Sequence, residues 1–240
     1  NYSELKNLFS SSASNNYKVS IMPSQALRTL SQSQKYCHLN ADKEVVYAPD
    51  NLKNNRKGDL RYLSAVSNYS GVYGGSMVDE YIINYKYSSR NVHIYRRTMV
   101  YLRMAEALNR AGFPRFAFAI LKTGVNNDVI ENDILPYYPE EEAFLKQFDF
   151  PTSKYKLRTK SEGSDENTVG IHSKGSGWSE YNDFYVYPER DNMAEEQDAV
   201  EDLIVDEGAL EFAYEGIRFY DLMRVALRRN NPAYLADKVY

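Results

Sequence analysis

The sequence predicts a mainly α protein in which a helical hairpin packs on C-terminal helices, with long loops and a few short strands between them. Three observations carry this. Residues 202–229, DLIVDEGALEFAYEGIRFYDLMRVALRR, together with Val200 just ahead of them, place Val200, Leu203, Ile204, Leu210, Tyr214, Ile217, Leu222 and Val225 on one face at 3.6 residues per turn. Residues 97–111 carry a second such stripe, with Tyr101, Met104, Ala105 and Leu108. Runs suited to strands are short, the best being YIINYKY at 81–87.

Taken in order, residues 1–16 hold an apolar patch, Leu5, Leu8 and Phe9, and then a polar loop. A strand-like VSIM precedes Pro23 and Ser24, a start signal for a helix over 25–31. A strand is expected at 44–47 and a short element in GDLRYLSAV from Gly58, whereas the three glycines of YSGVYGG, 69–75, read as a turn. The helix at 97–111 ends in Gly112-Phe113-Pro114, and a second helix follows. Measured against the 34-residue helix-turn-helix repeat, Ala105, Leu108, Ala117 and Leu121 fall at tetratricopeptide spacings. One such hairpin is legible, and a lone repeat cannot bury its own apolar side, so its open face should pack on the helices of 202–229.

Residues 126–164 read as an irregular insertion with a helix start at Pro139 and the acids after it. Residues 161–177 read as a polar, glycine-rich loop, and 181–188 as a strand or extended edge. The whole is most economically one domain over 1–240, two at most: an irregular mixed segment at 1–95, the hairpin at 96–125, a loop-rich insertion at 126–192 and C-terminal helices at 193–240.

Composition narrows the function. Hydrophobic residues make up 43%, charged residues 26%, and the net charge is −4, so there is no electrostatic footprint for nucleic acid. Cys37 is the only cysteine, which excludes a disulfide framework and a cysteine zinc site. Tyrosine is abundant, 22 copies against one Trp, and suits amphipathic surfaces that stack on a ligand or fill grooves between helices.

The C-terminal face also bears charge: Glu207, Glu211, Arg218 and Asp221 lie among its apolar residues, which predicts an internal ion network, with Arg97 or Arg103 as further partners. Nucleophile-elbow, HExxH and phosphate-loop patterns are absent. Glu207 and Glu211 could be offered as a glycosidase pair, but two acids one turn apart on a core-facing helix read better as structural ion partners. The cluster Glu195, Glu196, Asp198, Glu201 and Asp202 reads as a solvated helix start, since no calcium-loop pattern accompanies it. His38, His93 and His172 lack metal-ligand spacing and read as satisfied polar residues. No cofactor or metal is expected. The candidate ligand surface is the aromatic loop of Trp178, Tyr181, Phe184, Tyr185 and Tyr187, with Asn182 and Asp183 to bond hydroxyls. The alternative is a strand packed beneath the helices, with Trp178 as a plug.

EGALEFAYEGIRFYDLMR, 207–224, closely resembles the C-terminal signature of the SusD/RagB family of outer-membrane nutrient-binding lipoproteins, and RRTMVYLRMAEALNRAG, 96–112, resembles its other strong motif. GDLR at 58–61, Lys86-Tyr87 and GIHSKGSG at 170–177 agree with that register. The family usually has Glu-Arg where this chain has Glu207-Gly208, so one arm of the usual ion network is missing or replaced. The resemblance implies the second half of a longer cell-surface lipoprotein whose anchor lies outside this chain. It would capture an oligosaccharide or polysaccharide and hand it to a SusC-type TonB-dependent transporter, without catalysis. Peptide binding by the same fold, or a protein interaction module with no small ligand, are the alternatives. Buried aromatics around Trp178 would favour the last, and an exposed arc would favour a glycan. The resemblance carries over no binding residue.

Overall fold

The computed structural model describes residues 23–48, 58–73, 76–84, 95–148 and 170–239 and is mainly helical. The expected features at 1–22, at 85–87, at His93 and at 161–169 lie outside the described residues. Helix α1, Gln25–Ser33, starts where Ser24 accepts the Leu27 N–H at 3.2 Å. Strands β1, Tyr36–Leu39, and β2, Val45–Ala48, pair antiparallel from Tyr36 opposite Ala48 to Leu39 opposite Val45. Asn40 shapes their turn, its side-chain oxygen accepting from the N–H of Asp42 and of Glu44. Helix α2, Leu60–Ala65, is capped by Asp59 and runs directly into β3, Val66–Tyr73, which pairs antiparallel with β4, Ser76–Asn84. Here the reading of 69–75 as a turn is corrected. Tyr69 to Tyr73 belong to the strand, and the glycine at 71 sits at a register shift, where an extra residue bends the ladder.

The hairpin forms as expected from α3, Arg97–Arg110, and α4, Pro114–Lys122. Gly112 adopts φ 98°. That left-handed residue lets the N–H of Phe113 reach the Leu108 carbonyl at 2.9 Å while its own N–H reaches Asn109. Pro114 then opens α4, where its missing N–H costs no bond. Ala105, Leu108, Ala117 and Leu121 are all buried. The hairpin is bonded to the next long helix, α8, Met193–Glu211: Asn109 Nδ2 donates to the Gln197 carbonyl at 2.7 Å, and Gln197 Nε2 returns a bond to the Asn109 carbonyl.

Residues 127–148 are less irregular than the sequence suggests. They form a run of tight helical turns, α5 Asn127–Val129, a wider turn over Ile130–Ile134, and α6 Glu142–Leu145 among 3₁₀ turns, which bury Ile130, Ile134 and Leu145. The expected strand at 181–188 is absent; a 3₁₀ turn at Ser179–Tyr181 leads instead into irregular chain.

The C-terminal helices also differ from one continuous wheel. Helix α8, capped by Asn192 on the Glu195 N–H, ends at Glu211, and the chain turns over 212–217 with Tyr214 at φ 67° and Gly216 at φ 75° before α9, Arg218–Arg228. Asn230 takes the left-handed place after α9, and Pro232 opens α10, Pro232–Val239. The chain divides into two compact units. Among the described residues, one gathers 23–34, 58–84 and 209–239, with Leu210, Phe212, Leu222, Val225 and Ala226 buried. The other gathers 35–48, 95–148 and 170–208, built around Phe116, Ile120, Leu121 and Ile171.

Candidate functional site

The second unit holds the segment that positions the aromatic loop. Residues 170–177 are not a solvent loop: α7, Ser173–Ser176, is buried against α4, with Ile171 N–H on the Ile120 carbonyl and His172 N–H on that of Leu121. Their glycines serve close approach. Gly177 adopts φ 82°, and a Cβ there would stand 2.2 Å from the Cys37 carbonyl oxygen. Beside it Trp178 N–H donates to that same carbonyl at 3.1 Å, so β1 and the aromatic loop are stitched backbone to backbone. His172 is 1% exposed, its Nδ1 lies 2.8 Å from Glu207 Oε2, and its ring stacks on Tyr185 at 3.7 Å between centroids and 8° between planes.

On this base the loop displays a partly exposed aromatic platform. Phe184 is 64% exposed and Tyr181 40%, while Trp178 is half-buried 6.1 Å from the Tyr181 ring. Tyr47 of β2 joins them, its ring edge-on to Phe184 at 5.0 Å. Its hydroxyl donates to the Tyr181 carbonyl at 3.1 Å and accepts from the Asp183 N–H at 2.7 Å. Lys35 Nζ stands 5.7 Å from the centre of the Phe184 ring, and Asp183 is exposed at the rim.

Two of the expected ligand residues turn inward. Asn182 is 1% exposed, with Nδ2 donating to the Lys35 carbonyl at 2.8 Å and Oδ1 accepting from the Phe184 N–H at 3.0 Å, so its amide shapes the turn that raises Phe184. Tyr185 is stacked between His172 and Phe118. Trp178, Tyr181 and Asp183 remain at the surface with Phe184. Tyr47 and Lys35 were missed, because nothing in the local pattern of β1 and β2 ties them to a loop more than 130 residues on.

Several residues of the expected ion network have partners in the structure. Glu207 meets His172, and Glu211 meets Arg61 at 3.1 Å. Asp221 accepts from Arg224 at 3.2 Å, and Arg218 is half-buried at the start of α9. Arg103 lies 3.4 Å from Glu106. Within the acidic cluster, Glu201 is not solvated: it is 1% exposed and paired with Arg110 at 3.3 Å. Glu196 accepts the Tyr187 hydroxyl at 2.7 Å, and burial pushes that phenol well above its ordinary range. His38 is half-buried on β1. Among the described residues no group of three or more His, Cys, Asp or Glu could hold a metal ion.

Cys37 is fully buried, its Sγ donating to the Trp178 carbonyl at 3.0 Å, and burial pushes the thiol up to about 11. At about pH 8 the group is therefore a protonated thiol in the fold and unreactive. Iodoacetamide is expected to leave the native protein unlabelled under conditions that fully label the urea-unfolded chain, read by mass spectrometry. Rapid native labelling would show that the strand–loop stitch opens.

No family model, no curated protein and no solved structure matches the chain.

Proposed function

We propose that this chain is the ligand-holding C-terminal portion of a SusD/RagB-like cell-surface lipoprotein, and that it binds a glycan on the platform of Trp178, Tyr181, Phe184 and Tyr47 without altering it. Delivery to a SusC-type TonB-dependent transporter at the outer membrane belongs to the same proposal. The observation that carries the reading is Phe184, a large apolar ring held outward by the buried amide of Asn182, beside a second exposed ring and a rim carboxylate. Aromatic faces stack on the CH faces of sugar rings while a rim carboxylate bonds hydroxyls. The two sequence motifs and the hairpin of α3 and α4 support the family assignment. Among the described residues, no helix is long and apolar enough to cross a membrane.

The absence of catalysis is supported by the two acids a glycosidase reading would need. Glu207 and Glu211 are buried, and they are engaged by His172 and Arg61. The glycan therefore leaves as it came, and release of reducing ends on prolonged incubation would refute that part.

The test is calorimetric titration with a panel of neutral, amino and acidic oligosaccharides. Phe184→Ala and Tyr181→Ala are each expected to weaken binding about tenfold, one stacking contact apiece, with the fold unchanged by circular dichroism. Equal affinity of both variants and the parent would remove the platform from the site. Binding of short peptides in place of sugars would move the ligand class.

A further inference from the structure

We infer that the first unit holds a binding site for a small oxyanion of the phosphate or sulfate type, built from Arg28 and Ser31 of α1, Tyr62 of α2 and Tyr214 of the turn over 212–217. This goes beyond glycan binding and shares no residue with the aromatic platform. Three polar atoms of the group are buried without a hydrogen-bond partner among the described residues: Arg28 Nε, Ser31 Oγ and the Tyr214 hydroxyl. They belong to one neighbourhood. Arg28 and Ser31 stand three residues apart on α1 and so share a face of it. The end of α1 is tied to the start of α2, where the Asp59 N–H donates to the Ser31 carbonyl at 3.0 Å. Gly58, at φ 101°, permits that approach, since a Cβ there would stand 2.2 Å from the same oxygen. Tyr62 follows in the first turn of α2, and Tyr214 is held by a left-handed backbone, φ 67°, that bulky residues rarely take. Burial pushes both phenols above their ordinary range, each against the charge of Arg28, and Tyr62 raises Tyr214 further, so the three lie within reach of one another. No carboxylate contributes to either phenol.

The chemistry of these groups selects the ligand. A guanidinium nitrogen only donates, and each hydroxyl carries a proton that needs an acceptor. Arg28 forms no ion pair among the described residues, and the acids of this region are already taken: Asp59 and Glu211 are bound by the fork of Arg61. A half-buried cation beside buried hydroxyls is stabilised by a partner that accepts several bonds and carries negative charge. Water answers the bonds but not the charge. Donors from three separate elements suit the three or four oxygens of a tetrahedral oxyanion better than the two of a carboxylate.

The experiment is calorimetric titration of the whole chain with inorganic phosphate, sulfate and a phosphate monoester, with acetate and chloride at matched ionic strength. Saturable binding of phosphate or sulfate is expected, and the monoester arm shows whether the oxyanion is taken free or as part of a larger molecule. Arg28→Met, which keeps an apolar stem, and Tyr214→Phe, which keeps the ring, should each weaken binding about tenfold or more, with circular dichroism unchanged. In buffer free of these ions Arg28→Met should melt no lower than the parent, because it leaves no acid without a partner. Four results would overturn the proposal: no saturable binding of phosphate, sulfate or the ester; acetate or chloride binding as tightly; unchanged affinity in Arg28→Met; or a lower melting point of that variant without oxyanion, which would show that Arg28 already serves an acid of the fold.

Discussion

Arg61→Ala is expected to lower the stability of the protein by about 3–5 kcal/mol, the cost of breaking a buried ion pair from one side. Two carboxylates depend on this guanidinium. Its Nε and one terminal nitrogen meet the two oxygens of Asp59 at 3.0 and 2.7 Å, and its other terminal nitrogen meets Glu211 at 3.1 Å. Asp59 has no exposure and Glu211 only 5%, so water cannot replace the lost partner. Asp59 has a further task, accepting the Arg61 N–H that starts α2, so a carboxylate that moves once its guanidinium is gone also weakens that cap. Against a typical total of roughly 5–15 kcal/mol, the loss is a large fraction of what holds the fold. Arg61→Lys keeps the charge but not the fork, and its midpoint in urea should fall between parent and alanine variant. A loss below about 1 kcal/mol for the alanine variant would mean that Asp59 and Glu211 are satisfied without Arg61.

The second large effect is expected at His172. Its removal leaves the Glu207 carboxylate buried without the imidazole at 2.8 Å and strips one face from the Tyr185 stack. His172→Ala should therefore cost about 3–5 kcal/mol for the charge and about 1 kcal/mol more for the stack. Replacing both partners separates the two causes. In His172→Leu with Glu207→Leu the buried carboxylate is removed together with its imidazole, and part of the stability should return, since an apolar pair of similar volume is often neutral. Equal denaturant midpoints for the single and double variants would show that packing against Tyr185, not the carboxylate, governs the site.

Two helix boundaries were legible, because each is written in a few adjacent residues: Ser24 caps α1, and Gly112 with Pro114 closes one helix and opens the next. The cap at Asp59 and the stop at Asn230 and Pro232 between α9 and α10 emerge only in the structure. The break after Glu211 was not legible. Leu210, Tyr214 and Ile217 keep helical spacing across it, so a periodic pattern continues through a turn that the left-handed Tyr214 and Gly216 make.

The candidate site was legible in its exposed half. Trp178, Tyr181 and Phe184 stand out by residue type, and they do reach the surface to different degrees. The buried half misled for a physical reason. GIHSKGSG looks like solvent loop by composition, yet its glycines admit neighbouring backbone, and its histidine is held by an acid 35 residues further on. Asn182 looks like a hydroxyl ligand, yet its amide is consumed by the turn it builds. Polar type indicates that a group must be satisfied; only the tertiary structure tells by what.

The single tryptophan offers the most direct measurement of the central claim. Trp178 stands half-buried beside Tyr181, so a sugar seated on the platform changes the surroundings of its indole. Titrating the protein with oligosaccharides while following this emission should give a saturable change with one sugar class, and the change should be strongly weakened in Phe184→Ala. No response to any sugar, by fluorescence or by calorimetry on the same samples, would contradict glycan binding by this chain.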